Sequence, residues 1–97
     1  MKQLGYKSLD SVLHSRIRLA IVSVLIGVEE IEFTSLRDIV GATDGNMNTH
    51  LKKLEAKGYM CVKKLFIERK PTTMYWLSAK GCESFKKYVE ALEKFIK

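Results

Sequence analysis

The chain has 97 residues, 46% hydrophobic and 29% charged, a composition that suits one small folded domain with a modest core and leaves no low-complexity tract. With 17 Lys and Arg against 11 Asp and Glu, its net charge is +6. Two cysteines, Cys61 and Cys82, make no disulfide framework, and together with His14 and His50 they match no zinc spacing, so neither metal nor cofactor is expected.

Residues 1–8 carry little pattern. From Leu9 to about Leu25 the spacing is helical, with Leu9, Leu13, Ile17, Ala20, Ile21 and Val24 as a core stripe and Ser15 a candidate cap after a short first turn. This first-helix segment spans residues 9–27. Leu19, Val22 and Ile26 lie off the stripe, leaving its second half apolar nearly all round, and such a helix needs cover on more than one side. The run Leu19–Val28 resembles a signal peptide only superficially, because it starts late, is flanked by acids and lacks a small-residue cleavage site. Ten residues are also too few to cross a bilayer, so a cytoplasmic protein is expected.

Ile31-Glu32-Phe33 alternates as a short strand would. Thr34 then reads as the cap of a brief helix from Ser35 to Val40, with Leu36, Ile39 and Val40 inward. Gly41-Ala42 turn the chain into a second short helix, capped by Thr43 and stopped by Gly58, with an apolar stripe of Met47, Leu51 and Leu54. Two capped helices this close, the first ended by glycine, form a helix-turn-helix over residues 34–58.

Residues 59–77 hold two segments rich in β-branched and aromatic side chains, Tyr59–Ile67 and Thr72–Leu77. They are joined by Glu68-Arg69-Lys70-Pro71, which predicts a hairpin with a basic tip. Ser78 caps a last helix, residues 78–97, in which Cys82, Phe85, Val89, Leu92 and Ile96 form a heptad seam widened by Tyr88 and Phe95. An apolar stripe that wide marks an interface. The first and last helices of two subunits are therefore expected to build a homodimer through Leu19, Val22, Phe85, Val89, Leu92 and Ile96, the plain alternative being that the seam packs only onto the first helix of its own chain.

Charge is not spread evenly. Residues 46–80 carry 8 positive and 2 negative side chains, while residues 1–45 carry 5 and 6. A localised basic block on a neutral chain is the footprint of a polyanion site. Membrane-surface binding, the rival reading, would need a bulky apolar face that the block lacks. The outer face of the second short helix presents Gly45, Thr49, Lys52, Lys53 and Ala56, flanked by Asn46 and Asn48. Lys and Thr suit guanine edges or phosphates, and Asn suits adenine. Against these readings stand a plain solvated face for Thr49 and Lys52, helix capping for Asn46, and a tolerated first-turn glycine at Gly45 rather than one that lets the backbone approach phosphate. Lys63, Lys64, Arg69 and Lys70 on the hairpin suit the minor groove or the sugar-phosphate backbone, with edge-strand protection as the rival reading, and DNA contact is favoured for Arg69 and Lys70 over Lys63 and Lys64. His50 reads as a half-buried, hydrogen-bonded side chain, and Cys61 and Cys82 as small packing residues. Trp76 and Met74 take the opposite strand face from Tyr75 and Leu77. No nucleophile elbow, phosphate-cradling loop or metal-spaced pair of ligands is present, so no enzyme is expected.

The order helix, strand, helix, helix, hairpin, helix resembles the winged helix-turn-helix fold, and in detail the MarR/ArsR-like transcriptional regulators of bacteria and archaea. The run from Thr43 to Tyr59 resembles that family's recognition helix and its exit into the wing. Arg69 to Ser78 resembles the wing return, Ala79-Lys80-Gly81 the start of the last helix, and Ser15 to Ile21 the opening of the first. The tip departs in lacking glycine, and the cysteine-rich metal-sensing motif of many ArsR relatives is absent. The resemblance implies an α+β, mostly helical fold with a two- or three-stranded antiparallel wing and a C-terminal dimerisation helix. It also implies sequence-specific regulation of transcription from an inverted-repeat site on double-stranded DNA, with a small-molecule effector unsupported. A winged helix used only to bind an acidic protein partner is the alternative, and an RNA-binding one a third.

Overall fold

The computed structural model describes residues 5–96. A 3₁₀ turn at Tyr6–Ser8 opens them, and Asp10 then folds the chain back, its Oδ1 accepting from the N–H groups of Val12 at 2.8 Å and Leu13 at 3.2 Å. Helix α1 consequently begins later than the apolar spacing predicts, at Arg16, and runs to Leu25. Ser15 is its N-cap, Oγ accepting from the Arg18 N–H at 3.3 Å. Because a turn interrupts the predicted stripe, the helix has its own phase: Leu13 is buried before it, and Ile21, Val22 and Leu25 within it. Val22, expected at a subunit interface, is instead enclosed by its own chain and 0% exposed, so it has no surface to offer a partner.

Strand β1, Ile31–Glu32, leads directly into α2, Phe33–Val40. Thr34 is not the cap expected of it; the N-cap is Glu32, in extended conformation, and Thr34 lies inside the first turn. Leu36 is fully buried and Val40 half-buried, but Ile39 is 63% exposed rather than inward. Three residues on from Leu36 falls 60° to one side of it, and four residues on falls only 40° to the other. The narrow contact of a two-turn helix takes the nearer position. Gly41 closes α2 in the left-handed region at φ 80°, and α3 follows over Asp44–Ala56.

Strands β2, Met60–Ile67, and β3, Lys70–Leu77, pair antiparallel from Met60 opposite Leu77 out to Ile67 opposite Lys70. On the other side of β3, β1 pairs Ile31 with Tyr75, giving the sheet order β1-β3-β2. Lys70 and Pro71 are already strand, so the predicted four-residue tip is a two-residue turn. Glu68 and Arg69 both take positive φ, 50° and 66°, as the twist of a tight hairpin requires of a type I′ turn. Helix α4, Ala79–Ile96, starts beneath Ser78, whose Oγ accepts from the Gly81 N–H at 2.9 Å and donates to the Gly58 carbonyl at 2.6 Å.

The core gathers Leu36 from α2, Met47, Leu51 and Leu54 from α3, Tyr59 just before β2, Met60 and Tyr75 from the sheet, and the buried side of α1. Tyr88 of α4 joins it; expected to widen an exposed stripe, it is 4% exposed and stands 2.8 Å through its hydroxyl from His14 Nδ1. After Tyr88 the helix sheds its cover. Leu92, Phe95 and Ile96 are 36%, 41% and 77% exposed on its last two turns.

Candidate nucleic-acid interface

α3 is held at both ends. Thr43 Oγ1 accepts from the Asn46 N–H at 3.2 Å, and Asp44 in the first turn complements the helix dipole while receiving Arg37 Nη1 at 2.8 Å. Gly58, at φ 80°, takes the chain out of the helix in a conformation that side chains resist. Between these ends Met47, Leu51 and Leu54 are buried, which fixes the rotation of the helix about its axis. Gly45, Asn46, Asn48, Thr49, Lys52 and Lys53 are all exposed as a result.

The exposed set is not one flat row. Asn48 and Lys52 face the hairpin across a cleft of about 610 Å³, whose far wall carries Lys64 and Thr73 and whose floor includes Leu51, Val62 and Tyr75. Asn46 turns to the other side, beside Ser15 and His50, and Lys53 lies with Arg18 and Lys57 around a smaller depression. Gly45 and Thr49 stand between the two sides. A methyl group placed on Gly45 would meet nothing within 4 Å, so the backbone there is open to close approach. Thr49 donates its hydroxyl to the Gly45 carbonyl at 3.0 Å, leaving lone pairs to accept from outside. Asn46 is capped through its backbone N–H, so its side-chain amide is not needed for the cap.

The two halves of the hairpin differ. Lys63 forms an ion pair with Glu30 at 3.0 Å and lies 5.7 Å over the Trp76 ring, so it serves the sheet edge. Arg69 and Lys70 are exposed at the tip, and Lys64 lines the cleft facing α3. Lys64 therefore joins the helix residues more closely than alternation alone implies. The acids near this surface are Asp44, engaged by Arg37, and Glu32 and Glu55 at the cleft margin.

One connection has no sequence signal, because it joins residues 32 apart: Arg18 Nη1 donates to His50 Nδ1 at 2.8 Å, and Arg18 Nε donates to the Val12 carbonyl at 2.5 Å. A guanidinium can only donate, so His50 accepts and is neutral in this contact. Burial first, then the charges of Arg18 and Lys53, hold the His50 pKa below its ordinary value. A second tie binds the helix exit to the N-terminal turn, the Tyr59 hydroxyl donating to Asp10 Oδ2. Burial and the Asp10 contact raise the Tyr59 pKa. Cys61 and Cys82 are half-buried free thiols. Among the described residues no helix is long and apolar enough to cross a membrane.

Comparison with known proteins agrees with this geometry. The sequence pattern described as winged helix DNA-binding domain matches residues 17–96. An uncharacterised protein of Methanocaldococcus jannaschii is 37% identical over 78 residues, 80% of this chain and 85% of that protein. The solved structure of a transcriptional regulator homologue from Pyrococcus horikoshii superposes with a TM-score of 0.85 at 25% identity, covering 93% of this chain and 90% of the other. A putative MarR-like transcription regulator from Bacillus cereus shares the fold at a TM-score of 0.71 and 23% identity, over 94% and 68% of the two chains. Both solved structures are described as transcriptional regulators. With four α-helices and a three-stranded antiparallel sheet among the described residues, and a match over most of its length, the chain belongs to the winged helix DNA-binding domain family, with the fold of the MarR-like transcriptional regulators.

Proposed function

We propose that this protein regulates transcription by binding a specific duplex site as a homodimer, with α3 in the major groove and the β2–β3 wing beside it. The observation that carries the reading is the exposed set Gly45, Asn46, Asn48, Thr49, Lys52 and Lys53 on a helix whose rotation is locked, with Asn48 and Lys52 facing a basic wing across an open cleft. Lys52 and Thr49 read base edges or phosphate, Asn46 and Asn48 flank them, and Gly45 admits a phosphate near the helix N-terminus. Arg69 and Lys70 hold the sugar-phosphate backbone. Such a protein works on genomic DNA, in the cytoplasm.

The dimer is supported by α4, whose final turns carry Leu92, Phe95 and Ile96 into solvent, and by half-buried Leu19, Phe85 and Val89. A two-fold pair sets its recognition helices about 34 Å apart, one turn of DNA, and so selects an inverted repeat. Fragments of genomic DNA selected by the protein should share such a repeat. If each subunit neutralises roughly four phosphates, the logarithm of affinity should fall with the logarithm of salt at a slope of about −7. Failure to retard any duplex at low salt would sink the reading and favour an acidic protein partner for the same face.

A further inference from the structure

We infer that Phe66, at the end of the wing, is an apolar wedge that enters a base step in the minor groove and kinks the bound duplex. The inference rests on the DNA-binding reading above and adds a site to it. Phe66 is 75% exposed, and the neighbouring Ile67 is 46% exposed, although both belong to a paired strand. Opposite Phe66 stands Pro71, also exposed, so the outermost pair on that face is an aromatic ring beside a proline.

Alternation fixes where this pair points. Val62 opposite Tyr75 and Lys64 opposite Thr73 line the cleft shared with α3, and Phe66 opposite Pro71 is the next pair outward on the same face. From Val62 to Phe66 the strand advances about 13 Å. That reach carries a side chain from the middle of a major groove about 12 Å wide, past one line of phosphates, to the adjoining minor groove. The charges around the ring suit that path. Lys64 precedes it by two on the same strand, and Arg69 and Lys70 follow in the turn and the return strand, with Glu68 the single acid among residues 64–71. Two such tips from separate copies would repel each other, whereas phosphates would draw them in. The turn just beyond the ring is a tight one, Glu68 and Arg69 both taking positive φ. Partial insertion of a bulky apolar side chain unstacks a step and bends the duplex away from it, toward the major groove.

The test uses the full chain and a duplex selected from genomic fragments, with dyes at its two ends so that energy transfer reports bending. The unsubstituted protein should bend the duplex by at least about 20°. Phe66→Ala and Phe66→Ser should bind it roughly tenfold more weakly and leave it straight, with an unchanged salt slope, because no phosphate contact is lost. Phe66→Leu, which keeps a wedge, should restore the bend. Circular dichroism of each variant should match the parent, since the ring packs on little of its own chain. Equal bending by Phe66→Ala, or binding by the parent without bending, overturns the wedge while leaving DNA binding intact. Absence of duplex binding by the parent overturns both. A change in the sedimentation of free protein on Phe66→Ala would assign the ring to a contact between copies and overturn the wedge.

Discussion

Replacing Gly81 by alanine puts a carbon where the backbone of Tyr59 already stands. The added Cβ would lie 2.0 Å from the Tyr59 carbonyl oxygen, 2.9 Å from its carbon and 2.8 Å from Leu77 Cδ1. That carbonyl also accepts from the Ser78 N–H at 3.0 Å, so moving it loosens the junction that aims α4. Overpacking of this kind costs about 1–3 kcal/mol, and the weakened hydrogen bond about 1 more. Against this, alanine is the better helix former by roughly 1 kcal/mol. The net loss is about 1–3 kcal/mol, which for a chain of this size lowers Tm by roughly 5–20 °C. Gly45→Ala is the matched control: it too lies in the first turn of a helix, but its new methyl meets nothing within 4 Å. Helix propensity then acts alone and should stabilise the fold by roughly 0.5–1 kcal/mol. Urea and thermal denaturation followed by circular dichroism read both variants. A Gly81→Ala protein as stable as its parent would refute the packing argument. If Gly45→Ala is more stable yet binds duplex DNA more weakly, close approach of a phosphate accounts for the difference; undiminished binding removes Gly45 from the interface.

Thr49→Ala or Lys52→Ala should change which sequences are preferred, at about 1–3 kcal/mol per lost base contact, whereas replacing Arg69 and Lys70 together should weaken all sequences alike and flatten the salt slope. Competition binding with a panel of duplexes separates the two behaviours, and a wing variant that alters preference while the helix variants do not would reverse the assignment. Changing Leu92 and Ile96 together to Asp should yield monomers in sedimentation with much weaker affinity for the inverted repeat; a parent protein that is monomeric at micromolar concentration, free and on DNA, would rule out the dimer. Because His50 titrates lower when folded than when unfolded, the unfolded chain takes up its proton first as pH falls. Stability should therefore decline as pH drops below about 6.5 and through the lower folded value, and His50→Gln should reduce that decline. Denaturation midpoints at several pH values for both proteins check it.

The helix-turn-helix was legible because its signals are local. Thr43, the Met47-Leu51-Leu54 stripe and Gly58 mark α3 within a single stretch, and the exposed residues follow from the buried ones by rotation. What stayed hidden depends on partners distant in sequence or on small differences in phase. Val22 reads as surplus to the α1 stripe until Asp10 and Ser15 are seen to break the helix before it, after which it is central to the core. Tyr88 reads as a seam residue until His14, 74 positions away, is found at its hydroxyl. Thr34 is a better cap by composition than Glu32, but pairing of Glu32 with Met74 in the sheet fixes where the extended chain ends and the helix begins. At the tip, no glycine marks the turn, and ladder register, not residue type, confines it to Glu68 and Arg69.

The sheet has three strands only near its base. β1 reaches β3 at Met74 and Tyr75, so from Lys64 and Thr73 outward the wing is a two-stranded ribbon without a third strand. Such a ribbon is marginal in water when it stands alone, while its root is held by Met60 and Tyr75 in the core. Opening free energy must therefore fall along the same pair of strands, and amide hydrogens should exchange slowly at Met60–Val62 and progressively faster toward Ile67 and Lys70. The outer wing can then change its twist without disturbing the helices, which on the proposed DNA-binding reading would let one folded body follow grooves of different width. Part of the selectivity for a site would lie in how well its groove matches the ribbon's preferred twist.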